Sequence, residues 1–117
     1  MSKLNVFDLD QLGDAELGGP LPERIVDGNP AFKTWVMENN GDGGLTAGVW
    51  EVDSGSYKSI KGDSWEFCYI LSGLSELTED GQAPRQIGPG DAFVMQPGYV
   101  GTWRALEPTK KIWVIRK

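Results

Sequence analysis

The stretch Glu66-Phe67-Cys68-Tyr69-Ile70-Leu71-Ser72-Gly73 decides the architecture. In an extended strand, side chains two apart share a face. Cys68 and Ile70 therefore fall on the face of Glu66, and Phe67, Tyr69 and Leu71 on the other. Both faces are apolar apart from Glu66, so the strand is expected to be covered on both sides, by a barrel lumen on one and a further layer or subunit on the other. Glu66 is the exception. A carboxylate heading an apolar strand costs desolvation free energy unless it is paired, protonated or bound to a ligand.

The chain on either side of this strand is built the same way. Sixteen glycines and seven prolines cut it into short apolar runs, a punctuation that suits strands and not helices. Besides Trp65 to Leu71, the runs are Phe32 to Met37, Thr46 to Val52, Ser75 to Thr78, Arg85 to Ile87, Ala92 to Met95, Thr102 to Leu106 and Ile112 to Ile115. They are rich in Val, Ile, Trp, Phe and Tyr, the residues that fit a pleated surface. Glu79-Asp80-Gly81-Gln82 is a hairpin signal, because Asp-Gly accepts the positive φ angles of tight turns. About eight short strands at this spacing predict an all-β closed barrel or sandwich.

The first thirty-one residues differ. A short helical turn is expected at Val6 to Leu12, followed by the loop-like Gly18-Gly19-Pro20-Leu21-Pro22. Residues 1–31 are read as an N-terminal arm and residues 32–117 as one barrel domain, since 117 residues carry one modest core. The formal charge of −6 argues against nucleic acid and anionic membrane surfaces, which require clustered Lys and Arg. The apolar runs are too short for a membrane helix, and Asp8 and Asp10 do not suit a signal peptide. The one cysteine, Cys68, fits a reducing compartment, and a cytoplasmic location is expected. Asn39-Asn40-Gly41-Asp42-Gly43-Gly44 has the glycines of a phosphate or calcium loop but neither complete spacing, and reads as a connecting turn.

Glu66, followed seven positions later by Gly73, together with Gly90-Asp91-Ala92-Phe93-Val94-Met95-Gln96-Pro97-Gly98, resembles the two motifs of the cupins. With Gly48-Val49-Trp50-Glu51, Gly55 and Gly101-Thr102-Trp103, the chain from about Thr34 onward resembles the small cupins grouped with ureidoglycine aminohydrolase. The resemblance implies a single RmlC-like jelly-roll β-barrel. Cupins that hold a metal place two histidines shortly before the motif glutamate, and a third histidine or a glutamine where Gly101 stands. Here the first stretch reads Ser59-Ile60-Lys61-Gly62-Asp63, and the chain has no histidine at all. One carboxylate cannot supply the three or four donors of a transition-metal site. No metal is therefore expected, the residual possibility being a hard divalent cation at Glu66 assisted by Asp63.

Glu66 is the candidate catalytic residue as well as the candidate ligand anchor. In an apolar lumen its pKa would rise toward the range of a general acid or base. The competing reading is an inherited carboxylate held by a lysine, an arginine or backbone amides. Cys68 shares the Glu66 face and joins the candidate binding set, although a thiol without a basic neighbour is expected to be inert. Trp103 lies two residues beyond Gly101 on one face, and the glycine there would free space for a ligand or for the indole. Trp103 and Trp50 beside a carboxylate would suit an amine, guanidinium or ureido group, with Phe93 and Met95 of the second motif completing the lining. Core packing is the alternative for all of these apolar residues. Lys110-Lys111 and Arg116-Lys117 are read as solvated charge, with Lys111 in reach of a subunit contact.

Three functions follow. The first is a metal-free cupin binding a small polar molecule, with or without weak proton transfer at Glu66. The second is a metal-dependent ureide or amidohydrolase-like enzyme using Glu66, as the named member of the group implies. The third is a noncatalytic dimeric scaffold or regulatory module, favoured if the lumen beside Glu66 is filled. A homodimer is expected through the face of Phe67, Tyr69 and Leu71 and through arm exchange, as the resemblance implies.

Overall fold

The computed structural model describes residues 2–117 as two antiparallel sheets packed face to face, a jelly roll. In chain order the strands are β1 (Glu16–Gly18), β2 (Ile25–Gly28), β3 (Phe32–Asn39), β4 (Leu45–Val52), β5 (Gly55–Ile60), β6 (Trp65–Ser72), β7 (Ser75–Glu79), β8 (Arg85–Ile87), β9 (Ala92–Met95), β10 (Val100–Ala105) and β11 (Thr109–Arg116). One sheet runs β1-β3-β4-β11-β6-β9 and the other β2-β5-β10-β7-β8. All eight expected strands form, each to within two or three residues of its expected ends.

Strand β6 sits inside its sheet between β11 and β9, which explains its apolar character. Glu66, Cys68 and Ile70 point into the lumen and are buried, whereas Phe67, Tyr69 and Leu71 are half-buried or exposed. An aromatic stack from both sheets packs part of the lumen. Trp50 meets Trp103 at 5.2 Å and Phe32 at 5.1 Å, and Phe32 meets Tyr57 at 5.1 Å, all tilted or edge-on, the arrangement that ring quadrupoles favour. Gly73, just after β6, has φ +92°, and a Cβ there would collide with the Pro108 carbonyl. Only glycine allows the chain to turn so closely against the start of β11.

The strand missed by sequence reading is β5. Its Gly-Ser-Tyr-Lys-Ser-Ile is too polar to signal burial, yet Ser56, Tyr57 and Ser59 are buried between β2 and β10. The arm also carries more structure than expected. Strand β1 adds to the edge of β3, a 3₁₀ turn at Pro22–Arg24 crosses between the sheets, and β2 adds to β5. The arm thus folds back onto its own barrel and closes one side. At Val6 to Leu12 no helix forms; a single turn is held by the Gln11 amide donating to the Asp8 carbonyl at 3.1 Å. The 39–44 segment is a turn in which Asn39 and Asp42 side chains accept from the Gly41 and Gly44 amides.

Candidate functional site

Glu66 enters the lumen from the first residues of β6 and is 3% exposed. Two lysines reach it. Lys61 follows β5 in a tight turn in which the Ser64 amide donates to the Lys61 carbonyl, and its Nζ lies 2.6 Å from Glu66 Oε1. Lys111 comes from β11, where the register against β6 shifts between Lys110 and Lys111, and its Nζ lies 2.7 Å from Glu66 Oε2. The Cys68 thiol donates to the same Oε2 at 3.2 Å. The carboxylate is thereby bridged between two ammonium groups, each donating a charge-assisted hydrogen bond.

Lys111 is itself 5% exposed. Its ammonium lies 4.3 Å from the Trp50 ring centroid and 4.6 Å from that of Trp103. A buried cation is tolerated only with such compensation, here one carboxylate and two π faces. The reading of Lys111 as solvated charge is therefore corrected. In Thr109-Lys110-Lys111-Ile112-Trp113 the lumen-facing set is Thr109, Lys111 and Trp113, while Lys110 lies over the Trp35 ring on the outer side.

The electrostatics invert a second expectation. Burial pushes the Glu66 carboxyl upward, but Lys111 and then Lys61 outweigh it and hold it down at about 2. Glu66 is a fixed anion at neutral pH and a weak base, not a poised general acid. Burial alone would favour a neutral amine at Lys111, yet Cys68, Glu66 and Tyr57 around it raise its pKa; of these, Glu66 carries the charge at neutral pH. Burial and the adjoining carboxylate push the Cys68 thiol up to about 12, the state of an inert thiol, although Lys111 opposes them.

Beside this cluster lies a cavity of about 410 Å³. Glu66, Lys61, Lys111, Trp50, Tyr57 and Trp113 line it from the barrel, and Gly19, Pro20, Leu21 and Arg24 from the arm. Of the residues expected to bind a ligand, Glu66 and Trp50 stand at its wall. Trp103 and Cys68 lie deeper, in the packed core. Trp103 is 1% exposed, its Nε1–H donates to Ser75 Oγ at 3.0 Å, and Ser75 is bonded to Thr109 Oγ1 at 2.6 Å. Phe93 and Met95 line a separate cleft between β8 and β9 at the opposite edges of the sheets. Gly101 leaves no room for a ligand, because a Cβ there would run into the Tyr99 hydroxyl and the Thr78 carbonyl. Sequence reading missed Lys61, Lys111, Trp113, Tyr57 and the arm residues. The signal for Lys111 and Trp113 was their shared phase on β11.

A metal does not fit this arrangement. Asp63 is exposed. Among the described residues no three His, Cys, Asp or Glu side chains are grouped to hold an ion. A cation at Glu66 would also have to displace two ammonium groups already within hydrogen-bond distance of the carboxylate.

The family model of the EutQ-like cupin domain matches residues 40–113. Among solved structures, the Clostridium difficile EutQ protein superimposes with a TM-score of 0.65 at 15% identity over 74% of this chain and 63% of that one. This chain thus spans less than two thirds of the length of that protein. Ectoine synthase from P. lautus superimposes with a TM-score of 0.71 at 17% identity, covering 97% of this chain and 78% of the other. A protein of unknown function from Pseudomonas syringae pv. tomato reaches 0.79 at 18% identity, over 92% of this chain and 46% of its own. At these identities the likeness is one of fold. No curated protein sequence matches.

Proposed function

The chain belongs to the EutQ-like cupin domain family, and on that premise we propose that it is a binding module that takes a small polar molecule into the lumen without a metal. The observation that carries this reading is the cavity of about 410 Å³ beside Glu66, a volume within the range of small-molecule sites. Aromatic walls supply apolar contact, and the Lys61–Glu66–Lys111 bridge supplies fixed polar groups at one end. Because Glu66 is held ionised, its role is to position the two ammonium groups and not to shuttle protons. Kinship with the ureidoglycine aminohydrolase-like cupins remains a proposal resting on Glu66, Gly73 and the 90–98 motif.

The other two readings have less support. Ureide or amide hydrolysis through a metal at Glu66 requires a cation beside two ammonium groups. A scaffold without a ligand is favoured by a filled lumen, and here the space beside Glu66 is open. We retain the homodimer as part of the proposal, through the apolar outer face of β6, and a cytoplasmic setting, in keeping with one buried free thiol. No helix among the described residues is long and apolar enough to cross a membrane.

The test is a small-molecule screen read by the indole N–H resonances of the five tryptophans. Binding in the lumen shifts Trp50 and Trp113, which line the cavity, and leaves Trp35 on the outer side unmoved. A diverse screen in which no compound moves Trp50 or Trp113 contradicts the reading.

A further inference from the structure

Among the charged and indole groups around the cavity the unpaired capacity is on the donor side, while the hydroxyls of Thr34, Tyr57 and Ser59 can act either way. The Trp113 indole Nε1–H is buried and has no acceptor among the described residues. An orphaned donor of this kind costs free energy, but its nitrogen has no surface open to the cavity, so Trp113 contributes ring wall and not a donor to the site. Arg24, half-buried on the 3₁₀ turn of the arm, lines the same cavity and forms no ion pair or side-chain hydrogen bond among the described residues. Lys61 and Lys111 each spend one donor on Glu66, and an ammonium group carries three. Of the four acceptor positions of the Glu66 carboxylate, three are taken, by Lys61, Lys111 and Cys68.

The charges agree with the donors. Arg24, Lys61 and Lys111 face one carboxylate across the cavity, in a chain whose overall charge is −6. Lys58 also lines it, but its ammonium is engaged by Asp80 at 2.6 Å. An amine or guanidinium ligand, the expectation from a lone carboxylate beside indole rings, would meet net positive charge and unpaired donors.

We propose that the ligand carries a carboxylate that accepts hydrogen bonds from Arg24 and Lys61, with its organic part against Trp50, Phe32 and Tyr57. This rests on the reading of the cavity as a binding site and names the chemical class it takes. It also makes the arm part of the site, since Arg24 arrives only because β1 and β2 pin the arm across the two sheets. The planar guanidinium fork matches a carboxylate in a way that a lysine does not.

The experiment titrates the full chain and its Arg24→Gln and Arg24→Lys variants with carboxylates paired with their primary amides, from lactate and lactamide to benzoate and benzamide. Calorimetry gives affinity and the Trp113 indole N–H resonance gives location. Arg24 lies on an exposed turn, so both variants are expected to fold, as circular dichroism verifies. The best acid binds about tenfold or more tighter than its amide and moves the Trp113 resonance. The preference is lost in Arg24→Gln and partly restored in Arg24→Lys. Amides that bind in the cavity as tightly as their acids, or acids whose affinity is unchanged in Arg24→Gln, overturn the carboxylate assignment alone. If no acid and no amide moves Trp50 or Trp113, the cavity reading falls as well.

Discussion

Lys111 and Glu66, forty-five residues apart in the chain, meet at 2.7 Å in the lumen, with the lysine ammonium resting on the faces of Trp50 and Trp103. The buried lysine depends on Glu66 for its compensation, whereas Glu66 is also paired with Lys61. The pair, extended by Lys61, occupies the end of the barrel at which the family resemblance would place a metal, and it gives the lumen its electrostatic character.

The coupling between the two residues is measurable. Glu66→Gln leaves the Lys111 ammonium buried beside neutral groups and is expected to cost about 3–5 kcal/mol. Lys111→Met leaves Glu66 with Lys61 and costs less. The double variant is more stable than Glu66→Gln alone, because it removes the stranded cation. Urea denaturation of the four proteins gives the interaction energy; additive effects would show that the pair does not act as a unit.

Acid should expose the same bridge. The Glu66 pKa falls from an ordinary 4.5 to about 2 on folding, so its contribution is complete above pH 4.5 and fades as the pH drops through 4.5 toward 2. Each tenfold change in proton affinity is worth roughly 1.4 kcal/mol, which puts this contribution on the order of 3 kcal/mol. The Lys111 pKa is raised on folding, so its contribution persists below its ordinary 10.5 and is lost only above it. Unfolding free energies from pH 2 to 10 should therefore fall more steeply at the acid end in the native protein than in Glu66→Gln. Parallel curves would argue against the ion pair.

How much of this was legible in the sequence follows from what alternation can and cannot say. Strand β6 was legible because Glu66 interrupts an otherwise apolar face at a fixed phase. Strand β11 was ambiguous, because in Lys110-Lys111-Ile112-Trp113-Val114-Ile115 both phases pair a lysine with apolar residues, and spacing alone does not say which phase faces the lumen. Strand β5 was invisible because two of its three buried positions, Ser56 and Ser59, are serines, small enough to pack and polar enough to mislead. The rise expected in the Glu66 pKa assumed an apolar lumen, and two lysines, Lys61 from the turn just before β6 and Lys111 from β11, reverse its sign. Gly101 is buried, and Tyr99 takes the space beside it that the sequence reading had left for a ligand or the Trp103 indole, a contact that residue spacing does not reveal.

Cys68 gives a check on burial at the core of the site. With its thiol pushed up to about 12 and no solvent exposure, it should react with an alkylating reagent only as fast as the protein opens. Labelling rates should fall in proportion as stability is raised. Rapid labelling of the folded protein would mean that the lumen floor is accessible.

The outer face of the β6 sheet predicts assembly. Phe67 pairs across to Val94 and Val114, and Tyr69 to Ala92 and Ile112, giving a continuous apolar patch in which Tyr69 is 39% and Val94 38% exposed. Light scattering is expected to report a dimer, and Phe67→Glu a monomer with an intact fold. A native monomer would refute this arrangement.

Two lysines satisfy Glu66, and the proposal of a metal-free lumen depends on them. The direct measurement is the metal content of the protein purified after growth in medium supplemented in turn with iron, manganese, zinc, nickel and cobalt, together with the thermal midpoint on adding each ion. Substoichiometric metal throughout and no rise in the midpoint is the predicted result. One equivalent of any ion retained by the native protein and lost in Glu66→Gln would contradict it.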